Sequence, residues 1–74
     1  MTELINDDFV ISSNGFIYSL GSEDYGFLGE FNEIEDALKA FKAWCKENSY
    51  YPSLFFCSDH GNLDAIDYNG DFIS

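Results

Sequence analysis

The sequence predicts an α+β domain in which one helix packs across one face of a mainly antiparallel sheet of four to five strands. Three observations support this class: one stretch with helical apolar spacing, short β-rich runs on both sides of it, and glycine-containing turns between the runs. The predicted order of elements is β-β-β-α-β-β. A chain of 74 residues is expected to form a single domain, residues 1–74.

The predicted helix covers residues 32–48, where apolar residues recur at helical spacing. The stripe consists of Ile34, Ala37, Leu38, Phe41 and Cys45. Asn32 and Glu35 have the spacing of a capping box, so we expect Asn32 to cap the first turn. Acidic residues near the start and lysines toward the end suit the helix dipole. Pro52 then disfavours any helical continuation.

Three strands are predicted before the helix, at residues 8–13, 16–20 and 25–31. Asn14-Gly15 joins the first two as a hairpin turn in which both residues take positive φ. In the third strand, Gly26 and Gly29 indicate a bulge or a close backbone approach.

After the helix, residues 54–58 form a nearly all-apolar run that is typical of a buried central strand. Residues 63–68 are the next predicted strand. Asn69-Gly70 then indicates a second hairpin onto a short run at residues 71–73. We expect the sheet face away from the helix to be open to solvent and to hold many of the carboxylates.

The charge of the chain is strongly acidic and unevenly distributed. Fourteen Asp and Glu residues stand against three lysines, which gives a net charge of −11. All three lysines lie in residues 32–48, where four acids leave a balance of −1, so the rest of the chain holds −10 without a cation. Because this field repels phosphates, nucleic acid and anionic membranes are not expected as direct ligands.

The size of this charge favours a functional role for the carboxylates. It exceeds the roughly two to eight charges that suit a small soluble domain, and self-repulsion costs stability. Carboxylates gathered at turns can match phosphates, which lie on the order of 6–7 Å apart along one DNA strand. Solubility alone is the plainer explanation. The candidate partner-binding residues fall into two groups, Glu23, Asp24 and Glu30 in one and Asp59, Asp64, Asp67 and Asp71 in the other.

No metal site and no cofactor are predicted. Residues 67–71 match a calcium loop poorly, because glycine comes fourth and not sixth, and a hairpin turn explains them better. Cys45, Cys57 and His60 offer three zinc ligands where a structural site needs four. The sequence contains no signal-peptide-like or membrane-spanning run, so the expected location is the cytoplasm and the expected state of the cysteines is free thiols.

Catalysis is not expected either. Cys57 lies in an apolar run and His60 in a turn, without the cleft that a thiol nucleophile and its base need. A chain of this length also has little room for an active-site pocket. The sequence therefore predicts no catalytic residues.

The sequence holds eight Phe, five Tyr and one Trp, more than one helix face can cover. Core packing is the commonest role for such residues, but Tyr25, Tyr50, Tyr51 and Tyr68 are predicted at the surface. Trp44 flanks the apolar stripe and is the one helical residue expected at an interface. Tyrosine next to acid is a common interface composition.

In size, strand–helix layout and acidity, the whole chain resembles the small acidic phage-encoded anti-CRISPR proteins and other DNA mimics. The resemblance is to a class, and it transfers no catalytic or binding residue. It implies a stoichiometric inhibitor that binds the DNA-binding or PAM-reading surface of a CRISPR effector complex. If the chain is phage-encoded, it would act in the cytoplasm of the host cell.

Two other function classes remain open. One is an immunity protein that neutralises a basic toxin such as a nuclease, through the same electrostatics. The other is a non-catalytic structural or regulatory module whose charge serves solubility. An enzyme is the most distant alternative. A homodimer formed through an exposed sheet edge also remains possible.

Overall fold

Five strands and one helix follow one another in the predicted order within residues 7–73, the part of the chain that the computed structural model describes. The α+β class, with the helix packed against the sheet, is therefore confirmed. The elements are β1 (Phe9–Ser13), β2 (Tyr18–Ser22), β3 (Gly26–Phe31), α1 (Ile34–Asn48), β4 (Leu54–Cys57) and β5 (Leu63–Ile66).

The strands form a mixed sheet in the order β3-β2-β1-β4-β5. Three neighbouring pairs are antiparallel, as predicted, and the β1–β4 pair is parallel. The parallel pair arises because α1 carries the chain from the end of β3 back to the end of the sheet where β1 starts. β1 is thus the central strand.

The core lies between α1 and one face of the sheet. The predicted apolar stripe of α1 is confirmed, since Ala37, Leu38, Phe41 and Cys45 are buried. On the sheet side, the largest buried groups are Phe9, Ile11, Leu20 and Leu54. Phe9 and Ile11 alternate with Val10 and Ser12 along β1, so the strand turns one face to the helix and the other away from it.

The predicted capping box is wrong. The helix starts at Ile34, its N-cap is Glu33 in an extended conformation, and no side chain caps the first turn. Asn32 therefore lies one residue too early for its side chain to take that role. The carbonyl oxygen of Glu33 accepts hydrogen bonds from the backbone N–H groups of Asp36 and Ala37, at 3.2 and 3.4 Å.

The first hairpin has a longer loop than predicted. Ser13 pairs with Tyr18, so residues 14–17 form the loop and the return strand begins later than residue 16. Gly15 has positive φ, but Asn14 does not. Instead, the Asn14 side-chain oxygen accepts hydrogen bonds from the N–H groups of Phe16 and Ile17, at 2.9 and 2.8 Å. Asparagine stabilises this turn through its side chain and not through a left-handed backbone.

The irregularity predicted in the third strand is confirmed. The β2–β3 register shifts between Leu20 and Gly21, which leaves Leu28 as the extra residue. At the shift the two backbones approach closely, and a Cβ atom on Gly21 would lie 2.9 Å from the carbonyl oxygen of Gly26.

The second predicted hairpin forms at Asn69-Gly70, after a strand that ends at Ile66. The N–H of Gly70 donates to the carbonyl oxygen of Asp67 at 3.0 Å, and Gly70 has a φ of +93°. One carboxylate oxygen of Asp67 accepts the N–H groups of Asn69 and Asp71, both at 2.9 Å. The run at residues 71–73 makes one bridge to β5, between Phe72 and Ile66.

The uncovered sheet face is more apolar than predicted. A row of paired residues crosses it from β3 to β5, consisting of Phe27, Gly21, Val10, Phe55 and Ala65. Among the predicted site acids, Glu30 pairs with Ser19 on this face, whereas Asp64 pairs with Phe56 on the helix side. The expectation that this face holds many carboxylates is therefore wrong, because most of the acids lie in turns and next to strand ends.

Candidate protein-binding site

Among residues 7–73, six acids next to strand ends lie at one end of the sheet, which we call the acidic end. β1, β3 and β4 begin there, and β2 and β5 end there, as the pairing of Phe9 with both Ser22 and Leu54 requires. The segment before β1, the β2–β3 turn and the turn after β5 each contribute two acids. These acids are Asp7, Asp8, Glu23, Asp24, Asp67 and Asp71.

The strand order spaces these three pairs of acids in a row. Neighbouring strands lie about 4.8 Å apart, so the β2–β3 turn is about 7 Å from the start of β1. The start of β1 is in turn about 10 Å from the end of β5. The first of these two spacings is close to that of phosphates along a DNA strand, on the order of 6–7 Å, and the second is longer.

The six acids differ in how available they are. Glu23, Asp24 and Asp71 are exposed, whereas Asp8 is only 8% exposed. The carboxylate of Asp67 is engaged by two backbone N–H groups of its own turn. The carboxylates of Glu23, Asp24 and Asp71 are therefore the most accessible of the six.

The predicted site residues do not form the two groups that the sequence suggested. Glu23, Asp24, Asp67 and Asp71 share the acidic end, although the sequence assigned them to different groups. Three others lie elsewhere. They are Glu30 near the far end of β3, Asp64 in β5, and Asp59 in the β4–β5 turn at the opposite end of the sheet.

Among residues 7–73, no lysine forms an ion pair with Glu23, Asp24, Asp67 or Asp71. The contact that does occur joins exposed Asp59 to His60 at 3.8 Å, and it becomes an ion pair only when His60 is protonated. Lys46 lies in the last turn of α1, toward the acidic end.

Four aromatic rings pack together beside the acidic end. Tyr25, Trp44 and Tyr50, which we call the aromatic cluster, lie over buried Phe9. Ring centroids are 4.7 Å apart for Phe9–Trp44, 5.0 Å for Tyr25–Trp44 and 5.8 Å for Phe9–Tyr25. Tyr50 completes the cluster at 6.1 Å from Tyr25 and 6.4 Å from Trp44.

The aromatic cluster is partly open to solvent. Tyr25 is 46% exposed and Tyr50 is 37% exposed, while Trp44 is half-buried. The surface prediction for these two tyrosines is confirmed, and so is that for Tyr51. Tyr68 is half-buried, so it reaches the surface only in part.

A carboxylate anchors the cluster. The hydroxyl of Tyr50 donates a hydrogen bond to Asp7. This hydrogen bond, together with the negative charge of Asp7, raises the pKa of Tyr50 to about 12. The segment before β1 is thereby tied to the loop that follows α1.

A second aromatic pair lies next to the start of β4. Tyr51 stacks on Tyr68 with centroids 6.3 Å apart, and the Tyr68 hydroxyl donates to the carbonyl oxygen of Pro52. Burial raises the pKa of Tyr68 to about 12. These residues line a groove of about 460 Å³ that also contacts Phe55 and Ile73. No local sequence pattern indicates this groove, because residues far apart along the chain form it.

The structure brings no metal site together within residues 7–73, where no group of three or more potential ligands is found. Cys45 and Cys57 are free thiols, and burial raises the pKa of Cys45. Cys57 contacts the carbonyl oxygen of Ser58, and His60 contacts Asp59.

Asp7 and Asp8 belong to neither of the two candidate groups. The central place of β1 in the sheet puts them between the two hairpin turns, and no local sequence signal indicates that position.

The only helix described in residues 7–73 is too short and too polar to cross a membrane.

Comparison with other proteins adds no relative. No protein-family model, no curated protein and no solved structure matches the chain.

Proposed function

We propose that this protein is a non-catalytic inhibitor that uses its acidic end to bind a basic, nucleic-acid-binding surface of another protein. The proposed target class is a CRISPR effector complex of a bacterial defence system. The observation that carries the proposal is the row of acids at the acidic end, where Glu23, Asp24 and Asp71 are exposed and, among the described residues, form no ion pair with a lysine.

The local backbone strengthens the negative field at this end. The C-terminus of α1 lies there, and a helix C-terminus carries a partial negative charge of about half a unit. Lys46 offsets that charge in part. At the opposite end, Glu35 and Asp36 occupy the first turn of α1, where they stabilise the positive pole of the helix. The helix dipole thus explains why acids stand at that end of the molecule, whereas it does not explain Glu23, Asp24 and Asp71.

The chemistry of binding would be that of phosphate recognition. Guanidinium and ammonium groups that normally hold a phosphate backbone pair equally with carboxylates. A concentrated negative field also speeds the encounter with a positive groove, and salt screens this effect. The inhibitor would thus compete with nucleic acid for the same cations.

The test is a competition assay with purified CRISPR effector complexes and labelled duplex DNA. We expect the protein to displace the DNA from its target, and less so as salt increases. The triple variant E23Q/D24N/D71N should lose on the order of tenfold in potency, because three exposed charge pairs are removed. The matched control E30Q/D59N/D64N removes the same charge away from the acidic end and should keep its potency.

Equal losses in both triple variants would overturn the assignment to the acidic end. If no effector complex releases its DNA but a basic nuclease toxin is neutralised, the target class is wrong and the immunity function is correct. Inhibition that is insensitive to salt would overturn charge mimicry itself.

A further inference from the structure

The aromatic cluster combines exposed ring surface with negative charge. We propose that it binds an arginine side chain of the basic partner, with the guanidinium stacked on Tyr25 and paired with a neighbouring carboxylate. This inference rests on the proposed function, because it names one partner group that is bound beside the acidic end.

Packing holds Tyr25 in place while leaving much of it exposed. Its ring stacks on Phe9 with an interplanar angle of 8° and meets Trp44 edge-on at 62°. Phe9 is fully buried, so it fixes Tyr25 from the core side. A ring that is already ordered loses little entropy when a second group stacks on it. Because 46% of Tyr25 is exposed, this ordered residue offers surface to which a second group can bind.

Acidic residues accompany this aromatic surface. Asp7 accepts the hydroxyl hydrogen bond of Tyr50, and Asp8 is close enough to act electrostatically on the same tyrosine. Exposed Asp24 immediately precedes Tyr25 in the chain. Aromatic faces and carboxylates both attract cations, so the two act together here.

Arginine fits this combination better than lysine does. Its guanidinium is planar and weakly hydrated, stacks on aromatic rings, and can bind a carboxylate with two hydrogen bonds. The ammonium of lysine is a strongly hydrated point charge that cannot stack. A neutral apolar ligand would use the rings but gain nothing from the carboxylates. Arginine is also common on surfaces that hold phosphate.

The single tryptophan of the chain provides the readout. Trp44 belongs to the cluster, so its fluorescence reports binding there without a label. The probes are a short arginine–glycine peptide and its lysine–glycine counterpart of equal charge. We expect the arginine peptide to change the emission and to bind about fivefold more tightly than the lysine peptide.

Variants test the role of the Tyr25 ring. Tyr25→Leu should lower the affinity for the arginine peptide about fivefold, whereas Tyr25→Phe, which keeps the ring, should retain it. Tyr51→Leu is the matched control, because it removes a tyrosine outside the cluster that is more exposed than Tyr25, at 63% against 46%. Circular dichroism would check that each variant is folded.

Equal binding of the two peptides by the unmodified protein would overturn the inference, and this comparison stands even if Tyr25→Leu fails to fold. Unchanged affinity in a folded Tyr25→Leu variant would also overturn it. The peptide assay needs no effector complex. Its failure is therefore distinguishable from failure of the proposed function, which the DNA competition assay tests.

Discussion

Single residues decide how closely the strands approach and which carboxylates remain available. Asp67 and Asp71 carry the same charge, yet Asp67 is committed to its turn and Asp71 is exposed. Gly21 also depends on its surroundings, because it permits a close backbone contact with β3 that a residue with a Cβ atom would block. The composition of the chain does not reveal either distinction.

Replacing Gly21 by alanine should destabilise the fold. The new Cβ would lie 2.9 Å from the Gly26 carbonyl oxygen and 3.1 Å from the Phe27 Cα, which are both backbone atoms of β3. We expect a loss of about 1–3 kcal/mol in the free energy of unfolding, measured with urea. In Gly29→Ala, the new Cβ meets the end of the Phe31 side chain at 3.2 Å, and that side chain can move. A loss in Gly29→Ala as large as that in Gly21→Ala would contradict this explanation.

At the scale of elements, local signals predict some features well and others poorly. The stripe of α1 is visible because helical periodicity is local, and both hairpins lie where Asn-Gly pairs stand. The predicted N-cap lies one residue too early, at Asn32 and not at Glu33, and the capping assignment fails with it. Asn14 and Asn69 serve their turns without positive φ, a choice that the dipeptide alone does not determine.

The turn after β5 should depend on the side-chain oxygen of Asp67. Asp67→Ala removes the acceptor of two backbone N–H groups and should cost about 1 kcal/mol of stability. Asp67→Asn keeps an acceptor oxygen and should lose less. Asp71→Ala removes the same charge from the same turn without removing that acceptor. Chemical denaturation of the three variants would show the order, and equal effects would rule out the acceptor role.

At the scale of the whole molecule, strand order determines the candidate site. Asp7, Glu23 and Asp71 are distant in sequence, and they share one end of the sheet only because β1 is central and pairs with β4. Nothing local in the sequence specifies that parallel pairing, since it joins segments on either side of the helix. The sequence therefore predicts an acidic protein and a sheet, but not where the acids meet.

The whole charge distribution should make stability depend on salt. A net charge of −11 leaves repulsion that added salt screens, as the Debye length falls from about 30 Å at 0.01 M to about 3 Å at 1 M. We expect the melting temperature to rise with sodium chloride. The rise should be smaller in E23Q/D24N/D71N. A melting temperature that falls with salt would contradict this account of the charge.

The parallel contact between β1 and β4 also has a consequence for how the chain folds. β1, β2 and β3 form a meander of sequence neighbours, and β4 and β5 form a separate hairpin beyond α1. The two units join in the sheet along the β1–β4 pairing, from Phe9–Leu54 to Ser12–Cys57, so a long loop must close before the core is complete. Formation of the β1–β4 contact, rather than formation of the meander or the hairpin, would set the folding rate. The acids of the acidic end would be brought together in the same step.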